Sequence, residues 1–351
     1  MKKIFVLLMV PLITILLNIG SPPASVAAEP EITLTWSDYA APGYDQLNYI
    51  YHYIDRIKEE TNGRVEIKLY PAQQLVKALQ QYEALMQGTI DMCNFTPVYY
   101  AGKIPILCLS SESSYWEPGD SVVITSRTAK MIDKVLSRDG IKFMGWSTEL
   151  PPMCVPGAKI FRKASDFKGL KIRAPGKATK VINAWGGTGV SIPASELYMA
   201  LQKGVVDGAF TTIGTVEGTH LWEVIDAITF TRNGGSPQLV CMNREKWNSL
   251  PEDIKKSFEK VNREMVPWAY DHALNYVGKT KEFLKTKFKK SYQQTPEEHA
   301  ALSKPAAGYI WKPVIKKFGE PAQKLWDKTL AVAKESQEAR KQGKTPRFFE
   351  D

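Results

Sequence analysis

The sequence predicts a two-lobed α/β protein. Three observations carry that prediction: a strand–helix alternation that runs twice along the chain, a length too great for one ordinary core, and a short echo between the two runs. Apolar residues make up 44% of the chain and aromatic residues 11%, so a packed globule is expected and a disordered chain is not.

The first segment reads as a targeting signal. Lys2 and Lys3 precede an apolar run from Ile4 to Ile19, and the small residues Ser25-Val-Ala-Ala28 follow. A charged start, a short apolar core and small residues before the cut describe a secretory signal peptide over residues 1–28. The run falls short of the roughly 20 apolar residues that a spanning helix needs. An uncleaved anchor is the alternative, and the polar turn at Glu29-Pro-Glu31 favours cleavage after Ala28. No Cys stands at the cut, which argues against a lipid anchor there. No later stretch is apolar enough to cross a bilayer.

Ile32, Leu34 and Trp36 then alternate as a strand, and a Pro/Gly loop covers residues 38–44. Leu47, Ile50, Tyr51, Ile54 and Ile57 mark one face of a helix that Asn62-Gly63 stops. Val65, Ile67 and Leu69 give a second strand ending at Pro71. Leu75, Leu79, Tyr82 and Leu85 predict another helix, stopped at Gly88, and Ile90-Asp-Met92 opens a third strand. This βαβαβ rhythm implies a mostly parallel sheet.

The rhythm recurs downstream. Leu170, Ile172 and Ala174 form a strand, Ala178–Trp185 a helix, and Val190–Ile192 a strand. A helix over Ser195–Gln202 ends at Gly204, and Val205 begins a further strand. Ala84-Leu-Met-Gln-Gly-Thr-Ile-Asp91 matches Ala200-Leu-Gln-Lys-Gly-Val-Val-Asp207 at Ala, Leu, Gly and Asp. Kinship of the two lobes explains the echo; coincidence in common α/β punctuation is the alternative.

From Pro251 the chain turns helical. Apolar spacing is sustained from Ile254 to Val277, with Pro267 expected to kink or break the element. Thr295-Pro-Glu-Glu298 is a capping box that opens a further helix, and Glu320-Pro321 precedes the last one. The first lobe is assigned residues 29–149 with roughly 239–275, the second 150–238 with roughly 276–340, and residues 341–351 read as a frayed tail.

Charge and motif content exclude several functions. The formal charge of +9 sits largely in Lys-rich segments such as 279–290, which read as solvated helix faces. No basic motif is concentrated enough for nucleic acid. Cys93, Cys108, Cys154 and Cys241 lie apart among apolar neighbours and read as buried free thiols, although export would permit a disulfide. His52, His220, His272 and His299 lack metal-ligand spacing, and there is no GxSxG. Gly186-Gly-Thr-Gly189 lacks the strand-to-helix context of a phosphate loop. No catalytic residue, metal or cofactor is expected.

Five blocks stand in one order: Asn62-Gly-Arg-Val-Glu-Ile67, Pro71-Ala-Gln-Gln-Leu75, Gly88-Thr-Ile-Asp-Met92, Asp166-Phe-Lys-Gly-Leu-Lys-Ile-Arg-Ala-Pro175, and Ser195-Glu-Leu-Tyr-Met-Ala-Leu-Gln-Lys-Gly-Val-Val-Asp-Gly208. Through them nearly the whole mature chain resembles the substrate-binding subunits of tripartite ATP-independent periplasmic (TRAP) transporters, the dicarboxylate-binding-protein type. The resemblance implies a periplasmic solute-binding protein fold, with the ligand between two α/β lobes and a long helix, here Pro251 to Lys290, spanning both. It also implies capture of a small carboxylate and its delivery to an ion-coupled membrane permease; the protein is expected to be mostly a monomer. Presentation of the ligand to a membrane sensor is a second reading, and a periplasmic enzyme a third.

Arg173 is the leading site residue. The resemblance implies that it meets the ligand carboxylate, and a guanidinium suits that role because it forms two parallel hydrogen bonds and stays charged when desolvated. A structural ion pair is the alternative. Thr211 stands where family members commonly carry a ligand-contacting Asn, and Phe210 makes that wall more apolar; Thr211 ending a buried strand is the plainer reading. Met153 stands near the place of a second cation in many members, so a dianion held by two arginines is disfavoured. Lys77 is a substitute candidate, against its reading as an exposed helix lysine. Trp36, Tyr39, Asn94, Thr96 and Trp146 follow or end strands and complete the candidate wall. The apolar members favour a monocarboxylate with an apolar or aromatic body.

Overall fold

The computed structural model describes residues 29–110, 116–150, 153–232, 236–305 and 307–350, with the side chains of 146–150, 236 and 307 outside the description. The proposed signal peptide, residues 1–28, lies outside the described residues.

Two sheets form the two lobes. The first holds β1 (Ile32–Ser37), β2 (Val65–Tyr70), β3 (Met92–Phe95), β4 (Ile141–Leu150) and β11 (Ser236–Asn243) in the order β2-β1-β3-β11-β4. β1 runs parallel to β2 and β3, and β11 returns antiparallel between β3 and β4. The second sheet holds β5 (Met153–Gly157), β6 (Lys171–Arg173), β7 (Thr188–Val190), β8 (Gly208–Ala209), β9 (Thr211–Thr212), β10 (Ala227–Phe230) and β12 (Lys290–Gln293). Its order is β12-β10-β5-β8-β6-β7, with β9 paired to β5. The chain thus passes from the first sheet to the second between β4 and β5, and returns between β10 and β11.

Local pattern explains the packing. In β1, Leu34 and Trp36 are buried on one face beneath the helix Gln46–Glu60, as the period-two alternation requires. That helix turns Leu47, Tyr49, Ile50, Tyr53 and Ile57 inward, while Tyr51, which the sequence places on the inner face, is 50% exposed. The predicted helix from Leu75 is also shorter. Only Ala78–Gln80 and Gln81–Met86 are helical, and Leu75 and Leu79 are exposed.

The helix Glu252–Lys287 has 36 residues and, at 1.5 Å per residue, is roughly 54 Å long. Its first half, from Ile254 to Tyr270, joins the core of the first lobe; Val277 and Leu284 join that of the second. Pro267 does not break it. Met265, Val266, Ala269 and Tyr270 are buried on both sides of the proline, and that packing outweighs the missing hydrogen bond.

The internal echo has a structural counterpart. Gly88 and Gly204 both take positive φ (71° and 66°), and the next amide donates back to Ala84 or Ala200 at 2.9 Å. Asp91 then accepts the Thr35 amide at 2.8 Å, and Asp207 accepts the Lys171 amide at 2.7 Å. Each aspartate therefore pins the neighbouring strand of its own lobe.

Two assignments at the C-terminal end are corrected. The helices Lys312–Phe318 and Glu320–Lys341 belong with the first lobe, because Val314, Ala322, Leu325 and Trp326 share a core with Leu107, Ile132 and Phe143. An amphipathic face is legible in sequence, but which sheet it covers is not. The tail is also docked. Phe348 and Phe349 pack on the first core, Arg263 lies 4.4 Å over the Phe349 ring, and Glu350 bridges Arg127 and Lys328. All four cysteines are buried thiols outside any disulfide.

Candidate ligand-binding cleft

Arg173 is the last residue of β6, inside the second sheet between β8 and β7, where Ala174-Pro175-Gly176 leads into the helix Ala178–Ala184. Arg173 is 2% exposed, so little water reaches it. Its Nε donates to the Ile192 carbonyl at 2.7 Å and its Nη1 to the Phe210 carbonyl at 3.3 Å. In return, the Phe210 amide donates to the Arg173 carbonyl at 2.7 Å. Among the described residues no carboxylate pairs with Arg173, and its Nη2 has no protein acceptor. The guanidinium is thus held in place by backbone while its charge is left uncompensated.

Arg173 lines a cavity between the lobes. From the first lobe come Tyr39, Thr96 and Tyr99. Gln238 on β11 ties this wall together, donating to Thr96 Oγ1 at 3.2 Å and to the Tyr39 hydroxyl. The Tyr39 ring tilts onto Tyr99 with centroids 5.9 Å apart. The second lobe supplies a more apolar wall of Met153, Phe167, Ile182, Trp185 and Phe210. Trp185 packs on Phe167 at 4.6 Å and is oriented by its Nε1 donating to the Leu302 carbonyl at 3.2 Å. Thr211, Thr212 and Thr215 add hydroxyls; Thr212 caps the helix Ile213–Gly218 by accepting the Thr215 amide at 3.1 Å.

The lobes touch across the mouth of the cavity. Ala194 N donates to the Tyr99 hydroxyl at 3.3 Å, and Gln73 Nε2 donates to Ser195 Oγ at 3.1 Å. Gly176, at φ +49°, lies so close to the first lobe that a Cβ there would sit 2.2 Å from the Val98 carbonyl oxygen. The cleft is closed in this arrangement.

Of the residues named from sequence, Arg173, Thr211, Phe210, Met153, Tyr39 and Thr96 line the cavity. Three do not. Trp36 belongs to the first core, edge-on to Tyr53 at 5.6 Å, because it shares the inward face of β1 with Leu34. Asn94 is fully buried in β3 beside Asp38. Lys77 is exposed ahead of the short helical turn Ala78–Gln80, away from the cavity wall. Trp146 pairs with Leu239 in the β4–β11 ladder, and its side chain lies outside the described residues. Sequence reading missed Lys177, Trp185, Gln238 and Thr215. Lys177 had a usable signal, since it follows Arg173 by four residues just past a strand end, where open α/β sheets place ligands.

Behind the cavity wall, burial pushes the Asp38 carboxyl up to about 7. The Ala40 amide and the neighbouring Asn94 and Trp36 side chains offset this only partly, and Gln46 Nε2 donates to it at 2.7 Å. The unfolded chain releases this proton near pH 4, whereas the folded chain keeps it to about pH 7. Stability should therefore fall as pH rises from about 4 to about 7 and level off above, and Asp38→Asn should flatten that decline. Urea midpoints of both proteins across this range check it; equal slopes would count against a buried neutral Asp38.

Comparison with known proteins agrees with this architecture. The family model described as bacterial extracellular solute-binding protein, family 7, matches residues 36–317. The C4-dicarboxylate-binding periplasmic protein DctP of Rhodobacter capsulatus is 27% identical over 330 residues, covering 88% of this chain and 91% of that protein. A monocarboxylate 2-oxoacid-binding periplasmic protein of Nostoc sp. is 29% identical over 227 residues, or 60% of this chain and 59% of its own length. The solved structure of a TRAP periplasmic solute binding protein from Desulfovibrio salexigens, with bound orotic acid, superposes with a TM-score of 0.78. It is 21% identical, and the match covers 86% of this chain and 98% of that one. With the family model spanning both lobes and the cleft, the chain belongs to the family 7 bacterial extracellular solute-binding proteins, the substrate-binding subunits of TRAP transporters.

Proposed function

We propose that this protein captures a small organic acid in the periplasm and delivers it to an ion-coupled TRAP permease. The observation that carries this reading is Arg173: a buried cation, braced by two backbone carbonyls, with no carboxylate partner among the described residues. Burying such a charge is costly unless an anion completes it. A ligand carboxylate does so with charge-assisted hydrogen bonds that strengthen as the cleft excludes water. Family membership supports capture for transport, and the relatives are binding proteins of transporters, not enzymes.

The favoured ligand is a monocarboxylate with an apolar or aromatic body. Met153, Phe167, Trp185 and Phe210 would pack against such a body, and a hydrated sugar acid would leave hydroxyls facing them unpaired. The test is thermal denaturation of the mature protein against C4-dicarboxylates, sugar acids, oxo acids and aromatic acids. A ligand at a hundred times its dissociation constant adds about 2.7 kcal/mol of stability, a readable rise in melting temperature. Oxo or aromatic monocarboxylates should give the largest rise. A larger rise with C4-dicarboxylates or sugar acids would overturn the ligand assignment, and no rise with any acid would overturn carboxylate capture.

A further inference from the structure

We propose that Lys177 is a second ligand-reading cation, which takes an oxygen acceptor carried on the body of the acid, apart from the carboxylate at Arg173. The proposal rests on the carboxylate reading above and narrows the substrate class to acids with an apolar middle and a second polar oxygen.

Lys177 lines the cavity and is half-buried. Its ammonium carries three donors, yet among the described residues it has neither an ion pair nor a side-chain hydrogen bond. Two other partly buried lysines are compensated, Lys142 by Asp133 at 3.7 Å and Lys246 by Asp91 at 3.4 Å. Lys281 has no ion pair among the described residues either, but it does not line the cavity. The surroundings of Lys177 disfavour its charge instead. Burial lowers its pKa, the nearby Cys108 opposes this, and the like charges of Lys180 and Lys317 add to it. A lysine serving only solubility would extend into water, away from both neighbours.

The position also separates it from Arg173. Arg173 ends β6, held by the carbonyls of Ile192 and Phe210, whereas Lys177 stands four residues on, past Pro175, at the start of the helix Ala178–Ala184. The helix that follows Lys177 contributes the apolar Val181 and Ile182 to the same cavity. One ligand that satisfies both cations therefore needs a carboxylate, an apolar segment and a further oxygen. A ketone, hydroxyl or phenol oxygen suffices, since an ammonium donates to neutral acceptors as well as to anions.

The test is calorimetric titration of the mature protein, Lys177→Met and Arg173→Ala with 3-phenylpropionate and 3-(4-hydroxyphenyl)propionate. The same comparison is made for the acid giving the largest melting shift, or the acid released from the purified protein on unfolding, against its analogue lacking the second oxygen. The wild type should bind the oxygen-bearing member about tenfold or more tightly over its partner. Lys177→Met should bind both members alike, with the affinity for the oxygen-poor member unchanged. Its ligand-free melting temperature should hold or rise, because no protein partner is lost. A preference that survives in Lys177→Met, or a captured acid without a second oxygen, would overturn the proposal. Acids that bind through Arg173 without such a preference would remove the role of Lys177 alone. Acids that bind equally well to wild type and Arg173→Ala would remove the carboxylate reading itself.

Discussion

Arg173→Ala should weaken capture of the acid by roughly 100- to 1,000-fold, the equivalent of about 3–4 kcal/mol. The loss is large because closure leaves the ligand carboxylate in a dry cleft, where an anion without its partner is heavily penalised. Arg173→Lys should recover only part of it. A lysine keeps the charge but cannot serve the Ile192 carbonyl, the Phe210 carbonyl and a carboxylate together, as the planar fork does. The ligand-free protein should be affected far less, since the substitution also removes an uncompensated buried cation. Titration of the captured acid, beside melting of the ligand-free proteins, separates these effects. Affinity within tenfold of wild type in Arg173→Ala would remove it from the binding role.

How much of this was legible depends on which physical signal each residue carried. Arg173 was readable through the resemblance of the Asp166–Pro175 block; its residues alone left a structural ion pair as an equal reading, although a strand end is where open α/β sheets place ligands. Tyr39 and Trp36 were named together, yet only Tyr39 lines the cavity. The alternation of Ile32, Leu34 and Trp36 already commits Trp36 to the face beneath the helix, whereas Tyr39 lies past the strand and escapes that constraint. Leu75 and Leu79 matched a helical period but are exposed, because a short apolar run does not reveal whether anything covers it.

The site's other half lies in pairings that sequence distance conceals. Gln238 joins the wall from β11, a strand separated from Tyr39 along the chain by β5 to β10 of the second sheet, and only the return crossing brings the two together. The C-terminal helices carried a clear apolar stripe, but the choice between two lobes is made by tertiary fit. Phe348 and Phe349 in particular looked like an end and act as a plug against the first core. The echo between Ala84–Asp91 and Ala200–Asp207 was legible because it is local: a helix stop, a left-handed glycine and an aspartate that holds the adjacent strand.

Gly176→Val should abolish tight binding without unfolding the protein. The side chain's Cβ would lie 2.2 Å from the Val98 carbonyl oxygen, a backbone atom of the opposite lobe that no rotamer change can move aside. The positive φ of 49° adds strain, most of all for a β-branched residue. In the open state that oxygen is withdrawn and only the backbone strain remains, so the variant resolves the clash by staying open. If closure becomes about 3 kcal/mol harder, the competent population and the apparent affinity both fall by roughly 100-fold. Gly189→Val is the contrasting control. Its Cβ would meet the Thr179 backbone at 2.4–2.8 Å within the same lobe, so hinge opening gives no relief and folding stability must fall. Small-angle scattering with and without ligand, beside melting curves, distinguishes the two. Gly176→Val should lose only the few degrees that its strained backbone costs and should fail to compact on adding acid, while Gly189→Val should melt much earlier. Compaction and wild-type affinity in Gly176→Val would mean that the β6 loop need not meet Val98 for the cleft to grip its ligand.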